Sequence, residues 1–169
     1  MTQTRPDVLA RLDVFIGGWW LEARFPGPEP AGAAGGQAGG QAGGQAGGGP
    51  VVRSRFEWAL DGQFLLQRTE VPIPGAPDSL AIVAAGPPDG TYTQHYFDSR
   101  GVVRLYAMSF DGGVWTLTRE VPDFSPLDFG QRFTGTFSAD GDTITGAWEK
   151  RFDGGEWEHD FALIYHRDR

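Results

Sequence analysis

Residues 142–166 read DTITGAWEKRFDGGEWEHDFALIYH, and apolar and polar side chains alternate on both sides of Asp153-Gly154-Gly155. A period of two marks a strand with one covered face, because successive side chains leave a pleated backbone on opposite sides. Ile144, Gly146 and Trp148 share one face of the first half. In the second half Trp157, His159, Phe161, Leu163 and Tyr165 share a face, while Glu156, Glu158, Asp160, Ala162, Ile164 and His166 share the other. The aromatic set is expected to point inward. Asp-Gly-Gly supplies the left-handed backbone positions of a tight hairpin, so the stretch predicts two neighbouring antiparallel strands.

Outward from this hairpin the pattern repeats. Ten strand-like runs follow from Gly17 onward, at roughly 17–25, 51–60, 63–71, 79–86, 91–98, 102–110, 113–121, 129–138, 142–152 and 156–166. Asp61-Gly62, Asp89-Gly90, Asp111-Gly112-Gly113 and Asp140-Gly141 punctuate them with further hairpin signals. Short strands so joined predict an all-β sandwich or barrel built of up-and-down hairpins, and an antiparallel up-and-down barrel of about ten strands, in which sequential neighbours pair, is the reading taken. Alternation places Trp19, Leu21, Ala23 and Phe25 inside on the first strand and Phe56, Trp58 and Leu60 inside on the second. It places Trp115 and Leu117 inside on the seventh, with Phe129, Phe133, Gly135 and Phe137 on the eighth. On the sixth, Tyr106, Met108 and Phe110 are taken as the inward set over Val103, Leu105 and Ala107.

Pro6 to Ile16 spaces Val8, Leu9, Leu12, Phe15 and Ile16 as one face of a short helix, with Pro6 near its start and Gly17 past its end. Residues 27–50 hold three copies of Gln-Ala-Gly-Gly and no bulky side chain. Such a segment buries nothing to offset its ordering entropy, so it is expected to be a flexible loop inserted between strands one and two of a single domain spanning 1–169. The 26 residues before it are too few to hold a core of their own.

Composition narrows the function classes. A net charge of −8 repels phosphate backbones and anionic headgroups, so neither nucleic acid nor a membrane surface is an expected partner. No cysteine is present, which removes disulfides, thiolate metal sites and cysteine nucleophiles and suits a cytoplasmic protein. Asp7 and Asp13 interrupt what would have to be the apolar part of an export signal. Aromatic residues make up 13% of the chain, enough to fill or line a sizeable interior.

A helix leading into Phe15-Ile16-Gly17-Gly18-Trp19 resembles the opening of the calycin barrels: the lipocalin, fatty-acid-binding and nitrobindin-like proteins. In those families a Gly-x-Trp on the first strand closes one end and an Arg from the last strand packs over the Trp. The resemblance puts Gly17, Trp19 and Arg167 in these roles. Tyr96-Phe97-Asp98-Ser99-Arg100-Gly101, Gln131-Arg132-Phe133-Thr134-Gly135 and Ile144-Thr145-Gly146-Ala147-Trp148-Glu149 look like a group of small bacterial calycin-like proteins of unknown function, as do Asp153 to Trp157 and Asp160-Phe161. The likeness implies the fold and assigns no activity.

A closed barrel of this size either packs its interior or holds one small ligand there. The candidate ligand-binding residues are Phe56, Trp58, Tyr96, Tyr106, Met108, Trp115, Arg119, Phe133, Trp148, His159 and Phe161. An inward Arg119 would suit a ligand carboxylate, as a guanidinium fork matches two oxygens, or it pairs within the sheet; Arg68, Glu70, Arg104 and Gln131 stand as similar polar strand residues. His159, between Trp157 and Phe161, is a core histidine or, if haem is bound as in the nitrobindin-like proteins, its axial ligand. His95 and His166 point outward, so no three-histidine metal site is expected, and no Gly-x-Ser-x-Gly elbow or catalytic residue is identified. The first expectation is a barrel that binds or carries a small hydrophobic or aromatic molecule without a cofactor. The alternatives are an enzyme using the same pocket for cyclisation or isomerisation, anchored by Tyr96, Tyr106, Arg119 or His159, and a haem protein. Outward Trp20, Ala162 and Ile164 would offer an apolar patch to a homodimer.

Overall fold

The computed structural model describes residues 7–26, 50–87 and 90–169. The expected loop over 27–50 therefore lies almost wholly outside the described residues. One helical turn, α1 (Asp7–Ala10), runs into a 3₁₀ turn over 11–15. Ten strands follow: β1 (Gly17–Arg24), β2 (Val52–Ala59), β3 (Phe64–Glu70), β4 (Ser79–Gly86), β5 (Thr91–Asp98), β6 (Val103–Asp111), β7 (Val114–Arg119), β8 (Gly130–Phe137), β9 (Thr143–Arg151) and β10 (Glu158–Arg167). Each pairs antiparallel with its sequence neighbours, and β1 pairs β10, so the sheet closes into a barrel. The tight hairpin expected at Asp111-Gly112-Gly113 forms, whereas the one expected at Asp153-Gly154-Gly155 is a longer connection over 152–157, with Asp153 and Gly154 at φ 48° and 70°. Asp111 pairs Val114 across Gly112 and Gly113, whose φ of 55° and 78° match a two-residue hairpin loop that only residues tolerant of left-handed backbone can make.

The two ends of the barrel differ. At one end lie the C-terminal ends of β2, β4, β6 and β8 and the starts of β3, β5, β7 and β9, and the N-terminal helical segment plugs the opening. Leu9, Leu12 and Phe15 are fully buried there, and the Phe15 ring meets Phe56, Phe110, Trp115 and Phe137 at centroid distances of 5.0–5.4 Å. Polar bonds fasten the plug. Tyr92 Oη donates to the Val8 carbonyl at 2.6 Å, Trp58 Nε1 donates to Asp13 Oδ1 at 2.8 Å, and Trp19 Nε1 donates to the Phe15 carbonyl at 2.8 Å. The Arg167 guanidinium lies 4.2 Å over the Trp19 ring and donates to the carbonyls of Ile16, Val14 and Gly141. Gly17, at φ 122°, leaves room for that guanidinium, since a Cβ there would stand 3.4 Å from Arg167 Nη1. The opposite end carries the longer connections over 71–78, 120–129 and 152–157.

Four sequence expectations need correction. Phe25 follows β1 and is 40% exposed rather than inside. Leu60 lies in the turn after β2, at φ 49° and 74% exposed, rather than inside. Phe129 precedes β8 and packs on Phe152 at 5.6 Å. The fourth is the most consequential. The β9–β10 register runs Glu158↔Lys150 and His159↔Glu149, then jumps to Phe161↔Trp148, so Asp160 is an extra residue in a β-bulge. A bulge reverses the facing of everything on one side of it. His159 is therefore exposed, and Trp157 lies on the outer surface between the guanidinium groups of Arg132 and Arg151 at 4.5 and 4.7 Å. On the outer wall Trp20 stacks on His166 at 3.9 Å, while Ile164 and Ala162 pair with Glu22 and Arg24.

Candidate ligand cavity

Between the plug and the long-loop end the barrel is hollow. The hollow measures about 100 Å³. Ring faces and aliphatic chains form most of its wall: Tyr96 on β5, Tyr106 on β6, Trp115 and Leu117 on β7, Phe133 on β8, Trp148 on β9, and Phe161, Leu163 and Tyr165 on β10. Val71 and Pro77, from the connection between β3 and β4, line the side away from the plug. That connection is pinned where Val71 N donates to Asp78 Oδ1 at 2.8 Å and Asp78 N donates to Ser99 Oγ at 3.2 Å. Phe133 lies flat against the wall because Gly135 and Gly146 sit opposite each other beneath it. A Cβ on Gly146 would stand 2.5 Å from the Phe133 ring and 3.0 Å from the Thr134 carbonyl oxygen.

Polar groups in the wall are mostly satisfied by one another. Tyr106 Oη donates to Gln131 Oε1 at 3.1 Å, and Tyr96 Oη donates to Asp98 Oδ2 at 3.3 Å. Gln67 Nε2 donates to Ser54 Oγ at 3.0 Å, and Gln67 also bonds the Tyr165 hydroxyl. Two buried atoms of the wall have no partner among the described residues: Gln94 Oε1 and Trp115 Nε1. Burial pushes the hydroxyl pKa of Tyr165 up to about 12 and those of Tyr96 and Tyr106 well above the ordinary phenol value. These phenols stay neutral and act as donors, not as bases. Asp160, turned inward by the bulge, is the one ionisable carboxylate of the wall, and Lys150 Nζ holds it at 3.2 Å.

Of the residues the sequence nominated, Tyr96, Tyr106, Trp115, Phe133, Trp148 and Phe161 meet at the cavity. Phe56, Trp58 and Met108 do not line it; Phe56 packs beneath the plug and Trp58 bonds Asp13. His159 is outside, so it is no axial ligand for a group in the barrel, and the haem alternative loses its one ligand. Arg119 is buried but committed. Its Nε and Nη2 donate to Asp123 Oδ2 and Oδ1 at 2.7 and 2.8 Å, and both side chains are 2% exposed. Asp123 also accepts from Leu105 N and Ser125 N, which draws the 120–129 connection onto the barrel. A ligand carboxylate would have to displace this pair, so Arg119 is corrected from ligand anchor to loop anchor. Arg68 and Glu70 are exposed, and Arg104 bonds Ser125 Oγ at 2.9 Å.

Alternation about Tyr96 was enough to find Gln94, two residues back on the same face, and Leu65 marks Gln67 in the same way on β3. Nothing periodic announced Val71, Pro77 or Asp160.

These features define a closed ten-strand antiparallel barrel, stoppered at one end and hollow behind an aromatic wall. Among solved structures it is similar to that of Rv2717c from M. tuberculosis, with a TM-score of 0.59 and 15% identity over 98% of this chain and 100% of that one. The likeness is one of fold. No protein-family model and no curated protein matches the chain. Among the described residues no helix is long and apolar enough to cross a membrane.

Proposed function

We propose that this chain is a calycin-like barrel that binds or carries one small, ring-sized hydrophobic molecule. The observation behind this reading is the hollow of about 100 Å³ walled by Tyr96, Tyr106, Trp115, Phe133, Trp148 and Phe161. Packed cores leave few voids larger than a water molecule, so a hollow of this size is not ordinary imperfection. Size also bears on the guest. An apolar hole of about 150 Å³ accommodates benzene, whereas sites for drug-sized ligands run from about 300 Å³ upward. The hollow is nearer the first, so its guest is read as no larger than a single ring. The Arg167 clasp over Trp19 and the plug beneath it support the calycin kinship.

Native mass spectrometry of the purified protein tests the reading, together with thermal shift against toluene, phenol and indole. A retained mass of a ring-sized compound, or a rise in melting temperature that saturates with concentration, is the expected result. A protein that carries nothing and shifts with none of these probes would refute it.

A further inference from the structure

We infer that the cavity selects a neutral ring compound carrying a hydrogen-bond donor, which Gln94 receives through its side-chain carbonyl. This inference rests on the hollow being a binding site and names what distinguishes its guest. Three glutamines face inward: Gln67 on β3, Gln94 on β5 and Gln131 on β8, all buried. Two are occupied. Gln67 serves Ser54 and Tyr165, and Gln131 takes the Tyr106 hydroxyl. Gln94, 4% exposed and bordering the hollow, has a carbonyl oxygen with no partner among the described residues.

Burying an amide oxygen without a partner is costly, and native interiors seldom do so without a reason. The oxygen is covered by protein. The last torsion of a glutamine is soft, so a small rotation of the carboxamide brings the oxygen to a guest. Trp115 Nε1 lacks a partner too, but its ring is wedged among Phe15, Phe56, Phe133 and Tyr165 and has no such freedom.

Charge fixes the rest of the guest's chemistry. Among the described residues no Lys or Arg lines the hollow, Arg119 is taken by Asp123, and Asp160 is paired with Lys150. An anion brought here would lose its hydration and find no free cation, so the carboxylate counterpart of a good guest is rejected. A phenol-like or amide-like ring compound satisfies both conditions.

Isothermal calorimetry with toluene, phenol and benzoate at pH 7, on the wild type and on Gln94→Leu, separates the possibilities. Phenol is expected to bind about tenfold tighter than toluene to the wild type, and benzoate to show no binding. Gln94→Leu should weaken phenol by about the same factor and leave toluene unchanged or tighter. Circular dichroism on the variant establishes that it is folded. Gln94→Met, which keeps the side-chain length and removes the acceptor, should behave as Gln94→Leu does. Equal binding of toluene and phenol, or a preference that survives Gln94→Leu, overturns this inference and leaves the binding function standing. Binding of none of the three overturns both.

Discussion

Asp123 shows how a single side chain can organise one end of this molecule. Its carboxylate takes two charge-assisted bonds from Arg119 and two from backbone amides, and the Arg119 guanidinium, ahead of all else, holds its pKa well below the ordinary carboxylate range. Because the folded value is depressed, the stabilisation is complete above the unfolded carboxylate value near 3.9 and fades as pH falls through the folded one. Asp123→Ala should therefore cost about 3–5 kcal/mol in urea denaturation at pH 7, by leaving a buried guanidinium unpaired. The gap to wild type should hold constant above about pH 5 and narrow only in stronger acid. Gly146 is the steric counterpart. Gly146→Ala should push Phe133 off its seat and cost about 1–3 kcal/mol, read as a lowered thermal midpoint, because the obstructing atoms include backbone. At this scale the sequence was half legible. Ring residues such as Trp148 and Phe133 betrayed themselves by alternation, but whether Arg119 would meet a ligand or Asp123 depended on how the 120–129 connection folds back, which has no periodicity to read.

The strands were easier to foresee than any one contact. Each is bounded by Gly, Pro, Asp or Ser and carries a covered face, and short-range turn chemistry then dictates who pairs with whom. The register of β10 is where this logic breaks. Glu-Trp-Glu-His-Asp-Phe alternates without interruption, so period two carries His159 inward, yet the strand inserts Asp160 as a bulge and turns the histidine to solvent. A bulge trades local ladder bonds for a re-aimed side chain, and here it brings Asp160 to Lys150 at the cavity wall. His159→Ala should accordingly alter stability by no more than about 0.5 kcal/mol and leave any guest affinity unchanged. A loss beyond that, measured by denaturation and by calorimetry with phenol, would place the imidazole inside.

Seen whole, the barrel is a stopper and a ring-walled hollow in series. Leu9, Leu12 and Phe15 fill one end, and farther along the rings of Tyr106, Trp148, Phe133 and Trp115 contact one another in turn around the hollow. Phe15→Ala should cost about 3–5 kcal/mol in chemical denaturation, since four rings lose their common neighbour. A smaller loss would mean that the end collapses inward.

The seam between β1 and β10 joins residues near 20 to residues near 165. A ribosome makes β1 first, and its outer edge has no partner until β10 emerges. Throughout elongation the nascent sheet thus keeps an open row of amides and carbonyls, the kind of edge to which foreign strands adhere. Premature stop codons anywhere before β10 should yield not a weaker barrel but an adhesive ribbon.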